Sequence, residues 1–137
     1  MGLILDSSVL VAAERRGRNA RQALTDIAGQ FAGEDVAISV ISLMEMAHGA
    51  ARADSPERGA VRWQFLQELA SVLPVYPVSP SVALRAGQID GESTAKGVRI
   101  ALADLLIGVT ALQLGYQLAT MNVRHFRSIP GLSILSL

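Results

Sequence analysis

Short apolar runs along the chain alternate with longer segments in which apolar residues recur every three or four positions. The short runs are typical of buried strands, and the longer period is typical of helices with one face on the core. Five strands are predicted from these runs, at residues 2–5, 36–38, 75–78, 117–120 and 132–137. Because Pro77 cannot donate a backbone hydrogen bond, the third strand is expected at an edge of the sheet.

Helical periodicity fills most of the intervals between the strands. Helices are predicted at residues 9–14, 18–31, 43–48, 59–73, 80–91 and 100–114. Either Ser39 or Ser42 can cap the third helix, another helix start follows Pro56, and Ser79 caps the fifth helix. The sixth helix ends at Gly115. The polar segments at residues 92–97 and 121–129 are predicted as loops.

Strands that alternate with helices indicate right-handed crossovers and a parallel sheet. We therefore predict a three-layer α/β/α fold with four to five short parallel strands, in a single domain that spans residues 1–137. Polar residues follow three of the strands, at Asp6, Ser39 and Thr120. Ligands of such sheets bind at the carboxyl ends of the strands, so these residues mark the candidate site.

The composition narrows the chemistry that this site can use. The chain has 12 basic and 12 acidic residues, so its net charge gives no hint of a nucleic-acid partner. It has no cysteine, which excludes disulfides, thiolate metal sites and cysteine nucleophiles, and which agrees with a cytoplasmic location. The most apolar stretch, residues 100–114, is too short to cross a bilayer, so no membrane span is expected.

Three acidic residues stand out by their position. Asp6 follows the first strand, where a carboxylate either caps the next helix or faces a site. Glu45 lies within a helix among apolar neighbours, and a solvated helix face is its simpler interpretation. Asp104 is surrounded by apolar residues, where it needs a partner, a salt bridge or a helix end. If the three meet at one pole of the sheet, their repulsion favours a bound cation, and oxygen-only ligands favour Mg²⁺ or Mn²⁺.

Other polar and apolar residues carry weaker indications. A basic stretch just after the first helix could contact RNA phosphates or a protein partner, although a solvated surface is the simpler interpretation; it comprises Arg15, Arg16, Arg18 and Arg21. Lys96 and Arg99 precede the Asp104 helix and are better placed to steer a phosphate. Structural roles are favoured for His48 and His125, which form no ligand-spaced pair. Core or partner-contact roles are favoured for Trp63, Met44 and Met46.

Four segments together resemble PIN-domain nucleases, specifically the VapC-type toxins: LILDSSVL at residues 3–10, SVISLME at 39–45, ADLLI at 103–107 and LATMNVRHF at 118–126. The resemblance runs from end to end of the chain. It implies a PIN fold, cleavage of RNA with Mg²⁺ or Mn²⁺, a VapB-like antitoxin as partner, and a homodimer.

By position, Asp6, Glu45 and Asp104 match the three principal acidic residues of that family, which ligate the metal. Asn122 stands where many relatives have a fourth acid, and this difference lowers the negative charge expected at a second metal position. Asparagine can still offer its carbonyl oxygen or hold a water molecule. Ser7 and Thr120 match polar positions close to the family's site and are possible accessory residues.

Two other functions fit parts of the pattern. A catalytically inactive PIN-fold module that binds RNA or an antitoxin is compatible with Asn122. A phosphoryl-transfer receiver or phosphatase would also place acids at strand ends. The latter lacks support, because the chain has neither a glycine-rich phosphate loop nor the expected lysine at a strand end.

Overall fold

The central element of the computed structural model, which describes all 137 residues, is a five-stranded sheet. The strands are β1 (Gly2–Leu5), β2 (Asp35–Ser39), β3 (Val75–Tyr76), β4 (Gln117–Thr120) and β5 (Ile134–Ser136). Their order is β3-β2-β1-β4-β5, and every neighbouring pair is parallel. The predicted parallel sheet is thus confirmed, as is the edge position of the strand that Pro77 follows.

Seven helices cover the two faces of this sheet. They are α1 (Ser7–Arg15), α2 (Ala20–Gln30), α3 (Val40–Ala51), α4 (Pro56–Val72), α5 (Pro80–Ala95), α6 (Leu102–Leu114) and α7 (Val123–Phe126). Leu3 and Leu5 of β1 pack on the face that α1 to α4 cover, whereas Ile4 packs on the face that α5 to α7 cover. This alternation gives the sheet two separate apolar cores and confirms the three-layer prediction.

Side-chain caps fix where several helices begin. Asn19 forms a capping box with Gln22, so α2 begins at Ala20 rather than at residue 18 as predicted. Ser39 accepts a hydrogen bond from the backbone of Ile41 and caps α3, which decides between the two predicted caps. The other candidate, Ser42, is buried without a hydrogen-bond partner.

Two predicted loops are wrong in part. Residues 92–97 were expected outside a helix, but α5 continues to Ala95 because Ile89 and Ser93, four residues apart, keep the same face on the core. Residues 121–129 contain the short helix α7, whose Phe126 is fully buried. Both segments are mostly polar, so their sequences predict loops. One buried side chain per turn is nevertheless enough to pack a helix against the sheet.

The remaining differences concern element ends and exposure. The third and fifth strands are shorter than predicted, and α1 and α4 begin earlier, at Ser7 and Pro56. Met46 belongs to the core, whereas Met44 and Trp63 are about half exposed, which leaves partner contact as their interpretation. No helix of the chain combines the length and the apolar character that a membrane crossing requires.

Gly2, at the start of the central strand, lies directly beneath the ring of Tyr116. A methyl group at this position would overlap the ring, which also packs edge-to-face against Tyr76. Because Tyr116 is only partly buried, its ring can move aside and lose its packing, so we expect Gly2→Ala to destabilise the fold by about 1 kcal/mol, at the low end for overpacking. Thermal and urea denaturation followed by circular dichroism would measure the change.

Gly87 provides the matched control. It lies inside α5 with open space around it, so Gly87→Ala should stabilise the chain by about 0.5–1 kcal/mol through helix propensity alone. Equal effects of the two substitutions would contradict the close approach of Tyr116 to the strand.

Candidate active site

The carboxyl ends of the three central strands meet at one edge of the sheet. Leu5 is in register with Ile38 on one side and with Ala119 on the other, so the next residue of each strand lies at the same level. Those next residues are Asp6, Ser39 and Thr120, and all three are buried. Their predicted meeting at the carboxyl end of the sheet is confirmed.

Asp6 occupies the N-cap position of α1, but its side chain does not cap the helix. Only 3% of the residue is exposed. The oxygen Oδ2 accepts a hydrogen bond from the hydroxyl of Ser8 at 2.7 Å and another from the hydroxyl of Thr120 at 2.9 Å. Oδ1 has no hydrogen bond within the chain. The helix-cap interpretation of Asp6 is therefore wrong, and the carboxylate faces the pole of the sheet.

Ser8 and Thr120 also fix the turn that follows β4. The hydroxyl of Ser8 accepts a hydrogen bond from the backbone of Met121 at 3.2 Å, and that of Thr120 accepts one from the backbone of Asn122 at 2.9 Å. Thr120 was predicted as an accessory residue, and its contact with Asp6 agrees with that role. The sequence analysis does not predict a role for Ser8, and its position two residues after Asp6 is the only signal that the sequence offers for one.

Glu45 approaches the same pole from α3. Its Oε1 accepts a hydrogen bond from the hydroxyl of Ser7 at 2.9 Å, so Ser7 contacts a predicted site residue. Burial raises the pKa of Glu45, the hydrogen bond from Ser7 lowers it, and the negative charges of Asp6 and Asp104 raise it further. The solvated-face interpretation of Glu45 is therefore wrong, because its carboxylate is partly buried and faces other acids.

Asp104 lies in the first turn of α6, where the helix dipole favours an anion. Its side chain is 18% exposed, and its Oδ2 lies 3.6 Å from Nδ1 of His125. Burial raises the pKa of Asp104, the charge of His125 lowers it, and Asp6 raises it. His125, for which a structural role was favoured, is instead an exposed side chain at the edge of the site.

The three acids share one pole but do not form a ready-made metal site. Asp6 acts on the pKa of both Glu45 and Asp104, which shows that the carboxylates lie within electrostatic range of one another. No three His, Asp or Glu side chains are close enough together to form a metal-binding group. Ligation of one ion by these residues thus stays a prediction.

The remaining candidates are exposed side chains without a contact to the three acids. Asn122 is exposed, and its side-chain amide has no hydrogen bond within the chain. Lys96 and Arg99 are exposed on the connection between α5 and α6. Lys96 lines a surface cavity with Ser93 and Ser128 that contains none of the three acids. His48 is exposed in the last turn of α3, so it is not a core residue.

Comparison with known proteins assigns this arrangement to a family. The sequence matches the PIN domain family over residues 3–132. It is 29% identical to Ribonuclease VapC1 of Rickettsia felis over 99% of this chain and 96% of that protein. It is 35% identical to Ribonuclease VapC10 of Mycobacterium tuberculosis over 90% and 85% of the two chains. It is also 34% identical to the tRNA(fMet)-specific endonuclease VapC of Salmonella typhimurium, over 71% of each.

Solved structures agree with these matches. The chain superposes with a TM-score of 0.80 on a chain of VapBC2 from Rickettsia felis, bound to a DNA fragment from its promoter, at 24% identity with 100% and 99% of the two chains covered. The TM-score is 0.76 for DNA-bound VapBC from Salmonella typhimurium, at 27% identity with 99% and 98% covered. This chain therefore belongs to the PIN-domain family, and its relatives within that family are VapC ribonucleases.

Proposed function

We propose that this chain is a metal-dependent endoribonuclease that acts as the toxin of a type II toxin–antitoxin pair. The observation that carries the proposal is that Asp6, Glu45 and Asp104 lie within electrostatic range of one another in a PIN-family domain. Two of these carboxylates have a raised pKa because they are partly buried near other negative charges. Carboxylates with raised pKa values are concentrated at functional sites, so the arrangement favours a function over a structural role.

The donor atoms of the site suit Mg²⁺ or Mn²⁺, since both prefer oxygen ligands and the chain has no cysteine. Asp6 and Asp104 would be the main ligands, and Glu45 would either ligate the ion or orient the attacking water through Oε2. When bound, such an ion supplies a water of lowered pKa and offsets the charge that develops on the phosphate. The amide of Asn122 adds no charge, so we expect one ion rather than two.

The residues around the acids then have positioning roles. Ser8 and Thr120 hold Oδ2 of Asp6, which leaves Oδ1 without a hydrogen bond in the chain and able to accept a ligand. Ser7 holds Oε1 of Glu45 and leaves Oε2 free to accept a proton from water. The inactive-module alternative is not favoured, because the relatives that the chain resembles are named ribonucleases and an endonuclease.

The partners follow from the same proposal. Several of the similar solved structures are VapBC complexes, so we propose a VapB-type antitoxin as the protein partner. Apolar side chains that such a partner could cover are exposed on α4, at Val61, Trp63 and Val72. We also propose a homodimer, for which exposed Met44 offers contact surface, and a cytoplasmic location, where an RNA substrate is present.

Cleavage of RNA is the first test. Purified protein incubated with structured RNAs and Mg²⁺ or Mn²⁺ should cut them, and a chelator should stop the reaction. Asp6→Asn and Asp104→Asn should each lower the rate by about 100-fold or more, because each removes a charged ligand. Asp90→Asn is the matched control, since Asp90 is exposed on α5 away from the site. Equal cleavage by all four proteins would indicate a contaminating nuclease and contradict the proposal.

The hydroxyl of Thr120 provides a second test. Thr120→Val keeps the shape of the side chain but removes the donor to the buried Asp6, at an expected cost of about 1–3 kcal/mol in folding stability. Because Asp6 then loses its orientation, kcat should fall by roughly 10-fold or more. Thr120→Ser restores the hydroxyl and should recover most of the activity. Two results would contradict the positioning role: full activity of Thr120→Val, or a Thr120→Ser variant that is as inactive as Thr120→Val.

The raised pKa of Glu45 predicts how charge affects stability. A carboxyl whose pKa is higher in the folded chain than in the unfolded chain makes folding less favourable as pH rises between the two values. The penalty grows as the carboxyl of the folded chain loses its proton. In chelator at neutral pH, Glu45→Gln should therefore raise the melting temperature, because the amide carries no charge. At acidic pH, below both pKa values, the difference should disappear.

Glu92→Gln is the control, because Glu92 is exposed on α5 and should leave the melting temperature unchanged. Mg²⁺ should stabilise the wild-type chain more at neutral than at acidic pH, since its ligands must be deprotonated. A lower melting temperature of Glu45→Gln at neutral pH would show that the carboxylate is stabilising without a metal.

A further inference from the structure

A shallow groove of about 520 Å³ begins at the candidate site and runs along one side of α1. Its inner end is formed by residues already placed at the site, and its outer end is basic. The residues that matter here are Ser7, Ser8, Arg15, Arg16, Met121 and Asn122. At one end the groove includes Ser7 and Ser8, which hydrogen-bond Glu45 and Asp6, and at the other end it carries two cations.

The sequence of α1 accounts for this arrangement. Ser7, Val11 and Arg15 are spaced by four residues, so they form a row on one face of the helix, with Ser8 and Arg16 beside its two ends. From Ser7 to Arg15 the helix rises by about 12 Å. The arginines can therefore contact a ligand in the groove only at about this distance from the acids.

The structure separates the four arginines of the basic stretch into different roles. Arg18 is bound by Asp26 through two hydrogen bonds of 3.0 and 2.9 Å. Arg21 lies along a different groove, between α2 and α4. Arg15 and Arg16 are exposed, and neither forms an ion pair within the chain. Of the four arginines, only Arg15 and Arg16 are both free of an ion pair and on the groove that includes Ser7 and Ser8.

The opposite wall of the groove is held in place by the site itself. The backbone of Met121 donates to the hydroxyl of Ser8, and that of Asn122 donates to the hydroxyl of Thr120. The side chain of Met121 is 48% exposed, and the amide of Asn122 has no partner within the chain. The wall therefore offers a fixed apolar surface and a free amide next to the cations.

We propose that this groove binds the single-stranded RNA that leads away from the cleaved bond, with Arg15 and Arg16 on its phosphates. The proposal rests on the proposed ribonuclease function and adds the path of the substrate. A polyanion that enters an acidic pole needs cations further along its path, and the two free arginines supply them. Met121 and Asn122 contact the sugars and bases between the acids and the arginines. A protein segment would find only one exposed apolar side chain here.

Contacts this far from the reacting bond bind the substrate and the transition state equally. Their loss should raise KM and leave kcat unchanged, unlike the loss of an acid. In the double variant Arg15→Gln/Arg16→Gln we expect KM to rise roughly 10-fold, with kcat within about twofold of wild type. The control is Arg21→Gln/Arg85→Gln, which removes the same charge from exposed positions on α2 and α5.

Binding can be measured without cleavage in the Asp6→Asn background. The probe is a short fluorescein-labelled single-stranded RNA of mixed sequence, followed by fluorescence anisotropy at several salt concentrations. Each lost phosphate contact lowers the slope of log K against log salt by about 0.7, so the groove double variant should lose about 1.4. The control double variant should keep the slope and bind within about twofold of its parent. Circular dichroism melts confirm that all variants fold.

An unchanged KM and salt slope in Arg15→Gln/Arg16→Gln would overturn the groove proposal, as would an equal loss in the control variant. A loss of affinity for a VapB-type antitoxin, with RNA binding intact, would also overturn it and assign the groove to protein. Absence of cleavage by wild type would instead reject the ribonuclease function. The slope measured in the Asp6→Asn background would then still decide whether the groove binds RNA.

Discussion

The site depends on one buried carboxylate held by two hydroxyls. Asp6 is almost completely removed from solvent, and an anion in such a place is costly unless its oxygens are hydrogen-bonded. Ser8 supplies one donor from the first turn of α1, and Thr120 supplies the other from the end of β4. Because these donors are 112 residues apart in sequence, the contact requires β1 and β4 to be neighbours in the correct register.

That requirement connects the fold to the chemistry. A shift of β4 by one residue would turn the hydroxyl of Thr120 to the other face of the sheet and leave Asp6 with a single donor. The same hydroxyl also accepts from the backbone of Asn122, so the turn after β4 would lose its anchor. Sheet register, the orientation of Asp6 and the shape of the groove wall are thus set by one small network.

The sequence predicted the frame of the molecule better than its details. Parallel strands place their carboxyl ends together, so the meeting of Asp6, Ser39 and Thr120 followed from the strand pattern alone. The role of Ser8 did not follow, because a serine at a helix start is equally common as a cap. The position of His125 beside Asp104 depends on the packing of α7 against α6, and the polar segment around α7 gave no helical signal.

The approach of Glu45 to the other acids was likewise beyond the local pattern. Its neighbours in sequence indicate only a helix, and which face of α3 turns towards Asp6 is decided by Met46 and Ala50, which pack into the core. That packing brings Glu45 within reach of Ser7, so the two serines that follow Asp6 orient two different acids. The roles of Ser7 and Ser8 can therefore be inferred only when the position of α3 is known.

Helix α1 joins the two halves of the proposed function. Its N-terminal residues orient Asp6 and Glu45, and its C-terminal residues carry the free arginines. The N-terminal end of a helix carries a partial positive charge, which favours a negatively charged group beside it. The two arginines add full positive charges about 12 Å further along the helix. One short helix thus sets the distance between the proposed places of cleavage and of binding. In the proposed function, a substrate that spans both would be held by the same helix that orients Asp6 and Glu45.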